Sequence, residues 1–223
     1  MTDCRAGASG DALSLYSDKD ARLLADIEKL IKQFELGELK LLKGFVTFVP
    51  VTNPKAYRLK RRAGDRNLNR RLIPTETPTQ YEDHIANWLC PLLAEHDGLL
   101  DLHSFQSGNT AFALFGPSNN KGTLEPFAQA QIEEDLIQRL GCKRFVYGWL
   151  STYAKGIERR AAEVKAGRFN AKDVDTDTRY GIGTTEYMRS VGGWSLTLEC
   201  SQHDDVGGRE VAYQAIVNTL TFL

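Results

Sequence analysis

The sequence predicts an α/β fold, a three-layer sandwich with a mixed, mostly parallel sheet. Three observations lead there. Helical and extended patterns alternate along nearly the whole chain, as in a sheet covered by helices. One extended run, FVTFVPV (Phe45–Val51), is apolar on both faces and suits a strand buried on both sides. Polar clusters sit at the carboxyl ends of the apolar runs, where open α/β sheets gather their ligand sites.

Residues 1–20 are small and polar without periodicity, so an irregular tail is expected there. From Ala21 the pattern turns helical: Leu23, Leu24, Ile27, Leu30, Ile31 and Phe34 form one stripe, and Gly37 is a suitable stop. The strand from Phe45 ends at Asn53-Pro54. A second helix fits Tyr81–Leu93, with Tyr81, Ile85, Trp88, Leu89 and Leu92 on its apolar side. Leu99–His103 reads as a short buried strand with a polar end, and Ala111–Phe115 as another, closed by Gly116-Pro117. A helix is expected over Glu125–Leu140 and a strand over Arg144–Leu150. Residues 151–180 read as charged and irregular, with a short helix around Ile157–Ala166. Thr184–Val191 reads as a helix, Trp194–Cys200 as an alternating strand and Glu210–Leu220 as a closing helix. Residues 21–223 therefore read as one domain.

Composition narrows the function classes. Of 223 residues, 42% are hydrophobic and 26% charged, ordinary for a globular protein. The net charge of -1 supplies no overall field for nucleic acid or an anionic membrane. No apolar run has the length of a membrane span, and the first residues lack the basic and apolar regions of a secretory signal. Cys4, Cys90, Cys142 and Cys200 are scattered, which fits free thiols in a cytoplasmic setting. Neither a GxSxG elbow nor a GxxxxGK[ST] phosphate loop occurs.

Three clusters can carry chemistry. Eight basic residues fall between Lys55 and Arg71, among them Arg62 and Arg70, with Asn69 beside the latter. Guanidinium forks bind carboxylates in pairs of hydrogen bonds, although a solvated basic loop has the same composition. In Leu99–Ser104, His103 follows Asp101 by two residues at the end of an apolar strand. A neutral imidazole oriented by a carboxylate suits a metal ion, and equally a structural hydrogen bond. In Ser195–Cys200, Glu199 closes an otherwise apolar run, where loss of solvent favours a general base. Pairing with an arginine of the basic loop is the alternative.

Taken in order, VTNP (Val51–Pro54), NLNR (Asn67–Arg70), LDLH (Leu100–His103) and TLEC (Thr197–Cys200) resemble the succinylglutamate desuccinylase/aspartoacylase family of zinc carboxypeptidase-like hydrolases. The resemblance runs from about Gly37 to the C-terminus. It implies a zinc carboxypeptidase-like catalytic domain over residues 21–223 and one Zn2+ ion with His103 among its ligands. It implies Glu199 as the base that activates water, and Arg62, Asn69 and Arg70 as binding a small carboxylate substrate. The implied activity is hydrolysis of an amide bond in a small N-acyl substrate. The chain departs from the family pattern at three places. Asn67 stands where the family has aspartate. The family's HxxE zinc motif is replaced by Tyr16-Ser17-Asp18-Lys19-Asp20, and none of the four histidines has a glutamate three residues later. The family also continues into a β-rich domain beyond the position of Leu223. A metal-deficient homologue that keeps a carboxylate pocket is therefore the alternative reading. Asp18, Asp20, His84 and His203 are candidate replacement ligands.

Overall fold

A computed structural model describes residues 2–5, 12–17, 21–108, 110–170, 172, 177–203 and 205–223. Seven strands form one sheet in the order β1-β3-β2-β4-β7-β5-β6. They are β1 (Thr2–Arg5), β2 (Ala12–Ser17), β3 (Phe45–Val49), β4 (Gly98–Phe105), β5 (Phe112–Leu114), β6 (Phe145–Val146) and β7 (Trp194–Gln202). β3, β2, β4 and β7 run parallel, as do β5 and β6; β1 is antiparallel to β3, and β5 to β7. The helices are α1 (Ala21–Glu35), α2 (Pro54–Arg58), α3 (Tyr81–Ala94), α4 (Ala130–Ile137), α5 (Trp149–Lys165), α6 (Thr184–Ser190) and α7 (Gly207–Phe222). None of the described helices is long and apolar enough to cross a membrane.

Alternation along the central strands builds the three layers. Val46 and Phe48 of β3, Leu100 and Leu102 of β4, and Leu196, Leu198 and Cys200 of β7 share one face. They pack under Ile27, Leu30 and Ile31 of α1, Leu136 and Ile137 of α4, and Ala212, Ala215 and Ile216 of α7. On the opposite face, Leu99 meets Ile85, Ala86, Leu89, Cys90 and Leu93 of α3, Met188 of α6, and Leu68 and Leu72 of the connecting loop. Asp101 and His103 follow Leu99 at steps of two and therefore stand on this second face.

Several sequence expectations are corrected. Residues 2–5 and 12–17, expected to be irregular, form β1 and β2; residues 6–11 and 18–20, with Met1, lie outside the described residues. The reading Ala-Leu-Ser-Leu-Tyr-Ser alternates with period two, and β2 takes a parallel neighbour on each side. α3 buries Ile85, Ala86, Leu89, Cys90 and Leu93, so its apolar face is rotated from the expected one and Trp88 stays 38% exposed. α4 is shorter than Glu125–Leu140: Phe127 pairs with Asn120 in an isolated antiparallel bridge, which keeps the stretch before Ala130 out of the helix. The strand expected over Arg144–Leu150 shrinks to two residues. Gly148, at a φ of 78°, turns the chain, and Trp149 opens α5. His96 is buried; its Nε2 lies 2.8 Å from Thr47 Oγ1 and its Nδ1 2.8 Å from the Leu92 carbonyl.

The start of the β4–β7 pairing is fixed by shape. Gly98 pairs with Trp194, and a methyl group at position 98 would meet the indole at 2.0 Å. Gly98→Val should lower stability by about 1–3 kcal/mol or more through overpacking. Urea unfolding measures this, and an unchanged midpoint would mean that the indole is seated elsewhere.

Candidate active site

Two registers assemble the floor of the site. On the parallel pair β4–β7, Asp101 stands beside Thr197 and His103 beside Glu199. On the antiparallel pair β7–β5, Glu199 stands beside Phe112 and Thr197 beside Leu114. Cross-strand neighbours share a face. Residues distant in sequence thus form the row His103–Glu199–Phe112 near the carboxyl ends of β4 and β7.

His103 is nearly buried, and its Nε2 lies 2.9 Å from Oδ2 of the fully buried Asp101. Thr184 of α6 donates to the same oxygen at 2.6 Å. A carboxylate accepts and does not donate, so Nε2 carries the proton. The Asn69 amide approaches Nε2 at 3.3 Å. Oδ1 of Asp101 and Oδ1 of Asn69 are buried without a hydrogen-bond partner among the described residues.

The basic loop is shaped from below by Glu82, in the first turn of α3. Its buried carboxylate accepts from the Asn53 amide at 2.7 Å and from the backbone N–H groups of Gly64, Asp65 and Arg66 at 2.8, 3.1 and 3.1 Å. Burial alone would raise its pKa; the four donors outweigh burial and hold it below the usual value. Asn53 also caps α2, accepting from Ala56 N–H at 3.0 Å. The carboxyl of Asp83, next to Glu82, is held below the usual carboxylate range, at about 2. Burial opposes this shift, and the Arg66 guanidinium with two backbone N–H groups overcomes it. Asn67 accepts from Asn69 N–H at 3.1 Å and so tightens the turn that presents Asn69.

Arg70 reaches across the cleft into an aromatic cage. Its guanidinium carbon is 4.6 Å from the ring centre of Tyr153, 5.7 Å from that of Trp149 and 5.9 Å from that of Tyr180. It donates to the Tyr153 hydroxyl and to its neighbour's carbonyl, that of Asn69. Arg62 is exposed at the mouth.

All five site residues singled out in the sequence, Arg62, Asn69, Arg70, His103 and Glu199, line one cavity of about 120 Å³. A larger cavity of about 540 Å³ lies between the ends of α1 and α7, but no histidine, aspartate or glutamate side chain lines it. Chemistry therefore points to the smaller one. His84 is exposed on α3, and His203 lies beyond β7 with Nδ1 2.8 Å from Ser104 Oγ; neither lines the cavity with His103. Asp18 and Asp20 lie outside the described residues. Among the described residues, no group of three histidine, cysteine, aspartate or glutamate side chains is placed to hold a metal ion. A catalytic zinc takes three protein ligands. The described donors, with His103 alone supplying an imidazole to the cavity, do not make up that set.

Sequence reasoning missed Arg189, which also lines the cavity. It is buried and donates to both oxygens of Glu133 at 2.8 and 3.2 Å, to Glu125 at 3.1 Å and to the Ser195 carbonyl at 2.8 Å. Glu186 is 3.8 Å away. Gly116 allows this approach, because a methyl group there would meet Arg189 Nε at 2.5 Å. The partners come from four separate segments, so no local motif announces them.

No protein-family model matches the chain, and no curated protein matches it in sequence. Solved structures do match it in fold. The product-bound ectoine utilization protein EutE (DoeB) from Ruegeria pomeroyi aligns with a TM-score of 0.70 and 16% identity, over 99% of this chain and 59% of that one. A succinylglutamate desuccinylase/aspartoacylase from Rhodobacter sphaeroides aligns with a TM-score of 0.68 and 16% identity, over 96% and 56%. The tripeptide-bound cell shape determinant Csd4 from Helicobacter pylori aligns with a TM-score of 0.64 and 16% identity, over 100% and 54%. The expected carboxypeptidase-like α/β fold is thus the observed one, and this chain spans somewhat over half the length of those proteins.

The Arg189 cluster has a pH signature. Burial, with Glu186 and Glu133 nearby, raises Glu125 to about 7 despite the opposing pull of Arg189. A carboxyl whose pKa is raised on folding contributes stability that is complete below its unfolded value, about 4.3, and is lost as pH rises through the folded value. Urea unfolding at about pH 5 and about pH 8 should show wild-type stability falling. Glu125→Gln should flatten that fall, and an unaltered slope would show Glu125 ionised throughout.

Proposed function

We propose that this chain is a hydrolase that cleaves an amide bond in a small carboxylate-bearing N-acyl substrate. The observation that carries the reading is the convergence of His103, Glu199, Asn69, Arg70 and Arg62 on a single cavity at the carboxyl ends of β4 and β7. The likeness in fold to a succinylglutamate desuccinylase/aspartoacylase supports it.

Arg70 and Arg62 hold the substrate carboxylate, with the Asn69 amide orienting it. The cage around Arg70 keeps its guanidinium in place before the ligand arrives, so less freedom is lost on binding. Glu199, half-buried, takes a proton from the attacking water and hands it to the departing amine. His103, held by Asp101, lines the cavity. It is the residue that would bind a metal ion through nitrogen, and the remaining ligands of such an ion are not among the described residues. No step is therefore routed through zinc.

One observation favours a second reading. Arg62, Asn69 and Arg70 line the cavity, but the described residues offer too few metal ligands for a catalytic zinc, as in a module that binds N-acyl amino acids without cleaving them. Elemental analysis separates the two. The hydrolase reading predicts close to one zinc per chain and a melting temperature that falls on chelation. The binding reading predicts neither, with ligand affinity retained.

Arg70→Ala should weaken binding of an N-acyl amino acid by about 2–5 kcal/mol in calorimetry, the cost of removing one partner of a desolvated charge pair. Unchanged affinity would remove Arg70 from the carboxylate site. Glu199→Gln should reduce turnover of an active preparation about 100-fold or more. Retained turnover would assign the base elsewhere.

A further inference from the structure

The wall of the cleft changes character from strand to strand. β4 and β7 contribute His103, Thr197 and Glu199, whereas β5 contributes Phe112 and Leu114 on the same face of the sheet. Phe115 and Trp149 extend that apolar side. All four of these apolar side chains keep part of their surface accessible, so they offer contact area to a ligand. Arg189 stands in the same wall, but Glu133, Glu125 and the Ser195 carbonyl already engage it. Three acidic side chains, Glu125, Glu133 and Glu186, face this one guanidinium, so it offers no surplus positive charge to a ligand. It also has little hydrogen-bonding capacity left for a second carboxylate on a ligand.

We propose that the cleft selects N-acyl amino acids with an apolar side chain of leucine or phenylalanine size, and discriminates against acidic side chains. The selection rests on the reading in which Arg70 and Arg62 hold the α-carboxylate. Each methylene-sized group seated on an apolar wall is worth about tenfold or more in discrimination. The side chain lies on Phe112, Leu114, Phe115 and Trp149, while the acyl bond faces Glu199.

Calorimetry on the wild-type chain with five ligands tests this. N-acetyl-L-leucine and N-acetyl-L-phenylalanine should bind at least about tenfold more tightly than N-acetylglycine. N-acetyl-L-aspartate and N-acetyl-L-glutamate should bind no more tightly than N-acetylglycine. Leu114→Asp should lower the affinity for N-acetyl-L-leucine about tenfold, with circular dichroism confirming the fold; the wild-type series decides even if that variant does not fold. Acidic ligands binding as tightly as apolar ones would overturn the proposal. If N-acetylglycine binds and Arg70→Ala weakens it while side chains add nothing, apolar selection alone falls. If none of the five binds, the carboxylate reading falls with it.

Discussion

The parallel pairing of β4 with β7 decides where the polar side chains meet. Gly98 seats under the Trp194 indole at one end of the pair, and His103 stands beside Glu199 near the other. A slip of one residue would send Asp101 and His103 to the opposite face, among Leu100, Leu102, Leu196 and Leu198. Burial of those leucines therefore holds the register, and the register places an imidazole and a carboxylate side by side.

Charge is managed by local pairing across the molecule. The basic stretch from Lys55 to Arg71 is folded around acidic groups: Glu82 collects three backbone N–H groups, Asp83 takes Arg66, and Lys55 pairs with Asp65. Arg70 is treated differently, with rings and a hydroxyl around it in place of a carboxylate. It keeps its positive charge at the cleft, which a carboxylate ligand requires. Arg189 shows the opposite arrangement, being surrounded by carboxylates. Two arginines in one wall thus have different capacities for a ligand, and burial with hydrogen bonding makes the difference.

Much of this was legible in the sequence where a signal is local. Leu99–His103 and Trp194–Cys200 are apolar runs with polar tips, and their ends form the site floor. Asn69 and Arg70 of the Asn-Leu-Asn-Arg turn line the same cavity as His103 and Glu199. β2 was not legible, because six residues rich in serine carry a weak period-two pattern beside a stretch without pattern. The first turn of α5 was hidden in Arg-Phe-Val-Tyr-Gly-Trp-Leu, whose aromatic content suits a strand until Gly148 turns the chain. The Arg189 cluster joins Glu125, Glu133, Glu186 and Ser195, an arrangement that only the folded chain brings together.

A crystal structure of the chain with N-acetylglycine tests the central claim most directly. The ligand carboxylate should lie within hydrogen-bond distance of the Arg70 guanidinium, about 2.7–3.2 Å, with its acyl carbonyl facing Glu199 beside His103. A ligand bound elsewhere, or coordinates in which His103 and Glu199 are not neighbours on β4 and β7, would contradict the account.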